Sequence, residues 1–290
     1  MAAYQIFTDA TADLAGSLLT DIPPVEIIPM QVEIGGKEYT YGPAGDLSVA
    51  GFYRLQREGK FAATSQINPS VYFQYFEPCL SEGRDILYLS FSSGMSGTIQ
   101  SAKLCMEELR EAYPERTILC IDTLCASVGE GFLVREAAKK QAEGFSIRET
   151  ADWVEAHRLE VCHWFTVDTF AHLRHGGRVS SAAAMVGTAL QIKPLLHVDE
   201  RGCLQVAEKP RGRKNAIAAQ LAKMEQGWAP SFGNLVVIGH GDAPDAAGQL
   251  QEAVSLRFPK AEIHTTDIGP VIGAHTGPGM LALVYWGGNR

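Results

Sequence analysis

Short apolar, β-favouring runs alternate with stretches of helical periodicity through the first half of the chain. Tyr4 to Thr8 reads as a buried strand, and Asp9-Ala10-Thr11-Ala12-Asp13 as a turn rich in helix-capping residues. A short helix is expected over Leu14 to Thr20. Val25 to Ile34 reads as one strand ending at Gly35-Gly36, with Lys37 to Tyr41 pairing back as a hairpin. Ser48 caps a predicted helix running to Glu58, and Pro69 opens another after Asn68. Asp85 to Phe91 is a strand that empties into Ser92-Ser93-Gly94-Met95-Ser96-Gly97-Thr98, and a helical pattern from Ile99 to Arg110 follows at once. Thr117 to Asp122 then reads as a strand and Ala126 to Ala142 as a long helix closed by Gly144. Strands alternating with helices imply a parallel sheet covered on both faces.

Gly144 and Ser146 separate two helical patterns, so a boundary is expected there: an N-terminal α/β domain over 1–146 and a C-terminal one over 147–290. The second half opens with a helix (Ile147 to Arg158) and a strand (Val161 to Val167). Ile192 to Val198 and Cys203 to Ala207 flank the turn Asp199-Glu200-Arg201-Gly202, which makes a hairpin and a mixed sheet. A helix over Lys214 to Met224, a strand over Leu235 to Gly239, another helix–strand pair and a closing strand over Met280 to Trp286 complete the pattern. The fold class read from this order is α/β, with a mainly parallel first sheet and a mixed second one.

Composition narrows the function. With 290 residues, 46% of them hydrophobic and 20% charged, the chain has the make-up of a globular protein with room for two cores. A net charge of -8 argues against a nucleic-acid partner. Six cysteines show neither a CxxC pair nor zinc spacing, which suits reduced thiols and a cytoplasmic location. Neither a signal peptide nor an apolar stretch of membrane-spanning length is visible. No metal site is expected: His172 and His175 have helix-neighbour spacing without an acidic or Cys partner.

The candidate chemistry lies in loops. Ser92 to Thr98 puts hydroxyls and unpaired backbone N–H groups at a helix N-terminus, which favours an anion. Lacking Lys and Arg, and not matching a phosphate loop, it suits a carboxylate better than a triphosphate. Ala63-Thr64-Ser65-Gln66, before Asn68-Pro69, is a hydroxyl-rich turn whose simplest reading is N-capping. His275-Thr276-Gly277-Pro278-Gly279 reads as a rigid turn before a buried strand. Arg178, in a basic turn entering a helix capped by Ser180, and Arg211, in the densest positive run of an acidic chain, suit an acidic partner or a phosphate. Ser96 as a nucleophile with His275 as base is weaker, since Gly94-Met95-Ser96-Gly97 misses the G-x-S-x-G elbow. No acidic group to orient His275 is identifiable.

In order along the chain, several segments together resemble the DegV family of bacterial fatty-acid-binding proteins. They are Thr8 to Leu14, Thr64-Ser65-Gln66, Ser92 to Thr98 with Gln100-Ser101-Ala102, Ile121-Asp122, Gly176-Gly177-Arg178, Ile192-Lys193-Pro194, Lys209-Pro210-Arg211-Gly212 and His275 to Gly279. The resemblance implies two α/β domains and a long-chain fatty acid in a buried tunnel. Its carboxylate would be held by Thr64, Ser96 and His275, with Ser65 and the N–H groups of the loop around Gly97 in support. It also implies a non-enzymatic carrier without a cofactor. A fatty acid kinase subunit resembling dihydroxyacetone kinases would make the acyl phosphate. Ala10 and Ala63 stand where family members often carry Ser and Thr, which removes secondary hydroxyls. A serine esterase or thioesterase using Ser96 and His275, and a binder of a small phosphorylated metabolite, are the competing readings.

Overall fold

The computed structural model describes residues 4–14, 16–179, 191–288 and 290. Four parallel strands form the first sheet in the order β2-β1-β6-β7: β1 (Tyr4–Asp9), β2 (Val25–Ile28), β6 (Asp85–Ser90) and β7 (Ile118–Asp122). All six residues of β1 are buried, as expected for a strand covered on both faces. On one face Phe7, Ile86 and Tyr88 pack with residues of α2 (Pro69–Ser81) and α3 (Thr98–Ala112), among them Tyr72, Phe76 and Met106. On the other, Ile6, Leu87 and Leu89 pack with Phe132 and Leu133 of α4 (Val128–Ala142) and Val154 of α5 (Ile147–His157).

The expected single strand over Val25 to Ile34 is two strands. Pro29 has no N–H to donate and a fixed φ, so the ladder breaks there. Beyond it, β3 (Met30–Ile34) leaves the parallel sheet and pairs with β4 (Lys37–Tyr41) across Gly35-Gly36, whose φ angles of 65° and 76° fit a two-residue hairpin turn. On its other side β3 pairs with β5 (Ala62–Thr64), so this third, antiparallel sheet carries Thr64 at a strand end (Val32 opposite Thr64) instead of in a capping turn. Ser48 does cap α1 (Val49–Arg57), accepting the Gly51 N–H at 3.1 Å.

The mixed sheet runs β10-β9-β8-β13-β11-β12. Its members are β8 (Val161–Thr166), β9 (Leu195–Val198), β10 (Leu204–Glu208), β11 (Leu235–His240), β12 (Glu262–Asp267) and β13 (Leu281–Trp286). Only β11 and β12 pair in parallel; β13, central and wholly buried, is antiparallel to both its neighbours. Among the described residues, α5 is followed in this half by α6 (Ala171–His175), α7 (Arg213–Gly227), α8 (Pro244–Arg257) and α9 (Pro270–Thr276). The helix expected to be capped by Ser180 lies outside the described residues.

A capping box at Ser146 and Glu149 starts α5, close to the expected boundary. α4, however, is buried along most of its length and contacts β8, β11 and β13 as well as the first half. Its apolar residues join Ile6 and Leu87 to Val237, Val284 and Trp286 in one continuous core. No described helix is long and apolar enough to cross a membrane.

Candidate functional site

His275 lies one residue before the end of α9, not in a turn, because Pro270 pre-sets the first helical position and Gly277, at φ 74°, ends the helix. α9 packs on β3 and β5, which brings the imidazole to Thr64: Nε2 and Thr64 Oγ1 are 2.9 Å apart. The other face of the ring lies on backbone. A Cβ on Gly176 would sit 2.1 Å from His275 Nδ1, so only glycine permits this approach. Nδ1 is buried without a hydrogen-bond partner. Burial, followed by the nearby charges of Arg178, His175 and His172, pushes the pKa of His275 down to about 4. The imidazole is therefore neutral at pH 7, and since one proton is shared between it and Thr64, a ring Nε2–H donating to Thr64 leaves the Thr64 hydroxyl as one uncharged donor for an oxyanion.

Arg178 is half-buried, not a solvated turn residue. Its Nε donates to the Met95 carbonyl at 3.3 Å and its guanidinium also reaches the Gly176 carbonyl, tying the Ser/Gly loop to the end of α6 beside His275. Burial lowers its pKa. In that loop, Ser92 is buried and donates to the Gly202 carbonyl at 2.8 Å, so it holds the β9–β10 turn. Ser96 is half-buried and accepts the Thr98 N–H at 3.2 Å at the start of α3. Gly97 faces the Gln66 side chain, which would lie 2.7 Å from an added Cβ. Ser65 is exposed and lines a separate surface groove with Gln31 and Tyr75. Arg211 is exposed, in an isolated bridge with Ile192, and its carbonyl accepts from Asn215 at 2.8 Å. The structure thus gathers Thr64, His275, Arg178 and the Met95–Gly97 loop, and leaves Ser65 and Arg211 outside that cluster.

Behind His275 and Arg178 runs a channel whose walls include Phe91, Leu173, Phe165, Met280, Ala282 and Val284. It encloses about 610 Å³ of free space including its mouth. So apolar a passage suits an alkyl chain better than a charged metabolite. The period-two pattern of Met280, Ala282 and Val284 was the available sequence signal for this wall.

The Asp9 to Asp13 segment, at a sheet edge where ligands often bind, turns inward instead. Asp9 Oδ1 accepts from the Thr11 N–H (2.9 Å) and hydroxyl (2.5 Å), and Oδ2 from Tyr88 (2.6 Å). The same Thr11 hydroxyl lies 2.8 Å from Glu130 Oε2, and one hydroxyl proton cannot serve two carboxylates. Glu130 is the protonated partner: fully buried, it is held well above the usual carboxylate range by desolvation and then by Asp9. Asp13 accepts from Ser127 Oγ at 2.6 Å and from the Gly269 N–H at 2.7 Å, fastening a channel-wall residue and the start of α9 to the first half. Among the described residues, no group of three or more His, Cys, Asp or Glu could hold a metal ion.

A family model described as "Uncharacterised protein, DegV family" matches residues 3–287. A DegV domain-containing protein of Clostridium perfringens is 38% identical over 290 residues, covering 100% of this chain and 99% of its own. The structure is similar to that of a DegV family protein from Thermus thermophilus described for its fatty acid binding (TM-score 0.85, 28% identity, 98% and 99% of the two chains). A fatty acid binding DegV family protein from Streptococcus agalactiae gives a TM-score of 0.84 at 26% identity, covering 100% of both chains. The Fak B3 protein of the Streptococcus pneumoniae fatty acid kinase, loaded with linoleic acid, shares the fold (TM-score 0.86) at 20% identity over 98% and 99% of the chains. On the family model and the Clostridium relative together, this chain belongs to the DegV family.

Proposed function

We propose that the protein binds a long-chain fatty acid, tail in the channel and carboxylate at Thr64 and His275, and presents it to a partner kinase for acyl phosphate formation. The carrying observation is a neutral, largely buried His275 that pairs with Thr64 and lines an apolar channel. Burying roughly fourteen methylenes at about 0.8 kcal/mol each supplies around 11 kcal/mol, so affinity comes mainly from the tail. The head site then has only to position an oxyanion. Ser96 and the Gly97 N–H complete it from the start of α3, while Ser65 acts through its backbone, whose N–H donates to the Gln31 carbonyl at 3.4 Å. The kinase step rests on the likeness to the Fak B3 protein and on the resemblance in sequence. Binding is favoured over ester hydrolysis because Ser96 and His275 each have a different partner, and no carboxylate among the described residues bonds His275.

Lipid extraction and mass spectrometry of the purified protein test the reading. Bound fatty acid, or stoichiometric uptake of palmitate or oleate after delipidation, is expected. Ser96→Ala removes one hydrogen bond to a charged group, so binding weakens by roughly 1.5–3 kcal/mol and remains detectable. Absence of both native acyl chains and uptake would overturn the assignment, and steady ester turnover lost in Ser96→Ala would replace it with the hydrolase.

A further inference from the structure

The carboxylate site uses His275, on α9, and takes nothing from a second histidine beside it, His172 on α6. Each of the two rings is seated on a glycine of the other's segment. A Cβ on Gly176, just after α6, would lie 2.1 Å from His275 Nδ1, and one on Gly277, just after α9, would lie 2.3 Å from His172 Cδ2. Each ring also meets a polar side chain of the first half. His275 Nε2 is 2.9 Å from Thr64 Oγ1 on β5, and His172 Nδ1 is 3.4 Å from Gln56 Nε2 on α1. The first pair forms the head site; the second is unexplained by it.

Gln56 is buried, and its amide works on both helices at once. Nε2 donates at 2.9 Å to the carbonyl of Gly273, two residues before His275. That carbonyl also accepts the Gly277 N–H, which closes the last turn of α9. Turned over, the amide would set its oxygen against a carbonyl, so the Gly273 bond fixes its orientation and leaves the second hydrogen for His172. His172 Nδ1 is then an acceptor, and the ring proton sits on Nε2. The Ala274 carbonyl favours a proton on the ring, but burial and then His175 outweigh it and hold the pKa below the ordinary histidine value. The ring is therefore neutral at pH 7. Phe61, just ahead of β5, packs on His172 and His175 with ring centroids 4.8 and 4.7 Å away. One amide thus ties α6 to the end of α9. With only seven residues α9 has little stability of its own, so its last turn stays where such outside bonds hold it.

We propose that Gln56 and His172 are positioning residues: they clasp the last turn of α9, keeping the His275 ring on Thr64 and so the Thr64 hydroxyl on the fatty-acid carboxylate. This rests on the fatty-acid reading above. The test compares hexadecanoate with hexadecanol, which has the same tail and no carboxylate. Affinities for both are measured at pH 8 on delipidated wild-type protein, Gln56→Met, His172→Phe and the double variant. Each single variant should bind hexadecanoate about three- to tenfold more weakly, the worth of one net hydrogen bond, and hexadecanol as the wild type does. The double variant should lose no more than Gln56→Met alone, because both changes break one clasp. Unchanged hexadecanoate affinity in either single variant, equal losses for the two ligands, or additive losses in the double variant would overturn the proposal. Should the variants not fold, ring 15N NMR of histidine-labelled wild-type protein decides: an Nε2–H ring is expected at His172, and an Nδ1–H ring refutes the clasp. Hexadecanoate failing to bind the wild-type protein would instead sink the fatty-acid reading, while the His172 tautomer would still test the clasp.

Discussion

At His275 burial and chemistry pull the same way. A charged imidazolium would bind a carboxylate strongly, but the apolar surroundings and the Arg178 guanidinium keep the ring neutral down to about pH 4. This carries a stability consequence of definite sign. Between pH 4 and 6.5 the unfolded chain's imidazole takes up a proton that the folded one refuses, so stability is lost as pH falls through that window. The difference from 6.5 to about 4 corresponds to about 3 kcal/mol in full. Lipid-free His275→Asn is therefore expected to lose about 2–3 kcal/mol less than wild type when urea unfolding is compared at pH 7 and 4.5. Equal losses in the two proteins would refute it. The candidate importance of His275 was legible in its setting of glycines and a proline, but its neutrality was not, since that depends on what packs over the ring.

At the scale of elements, the site exists because α6 and α9 meet β5. Gly176 follows the last residue of α6 at φ −76°, so alanine there suffers no backbone strain and only the contact with His275 Nδ1 matters. Gly176→Ala should push the ring off Thr64 and lower fatty-acid affinity tenfold or more, with an overpacking cost of about 1–3 kcal/mol in stability. Displacement of a fluorescent fatty acid measures the first and thermal unfolding the second; unchanged affinity would show that the ring position is not critical. Most strands and helices here were readable from apolar runs, caps and glycines. β5 was not, because three residues carry too little periodicity and their strand character comes from pairing with β3. The Pro29 break was visible in the sequence, but which sheet each half joins was not.

For the whole molecule, the two flagged arginines part company. Arg178 lines the channel and bonds the Met95 loop, whereas Arg211 is exposed in a chain of net charge -8. Under the proposed function a kinase active site would bring ATP phosphates and acidic metal ligands, so an exposed cation on an acidic protein would steer docking. Arg211→Ala is expected to retain bound fatty acid and lose most acyl phosphate formation with its cognate kinase. Arg178→Ala should lower fatty-acid occupancy as well. Occupancy and kinase-coupled turnover measured on the same preparations separate the two roles: unchanged turnover in Arg211→Ala would remove it from any docking surface.

Local order in the sequence determined the alternation of strands and helices, the position of the Ser92 to Thr98 loop before α3 and the order of motifs that marks the family, whereas most of that loop's N–H groups turn out to be bonded within the fold. Those features depend on neighbours a few residues apart, where backbone preference and capping act. Tertiary packing alone decided the rest. Thr64 and His275 are 211 residues apart and meet only because α9 packs on the small antiparallel sheet. The channel arises from the register of β8 against β13, and α4 serves both halves because each sheet has an apolar face to cover. Glu130 is pushed toward its protonated form because burial removes the water that would otherwise stabilise its charge, and burial is a property of the assembled fold.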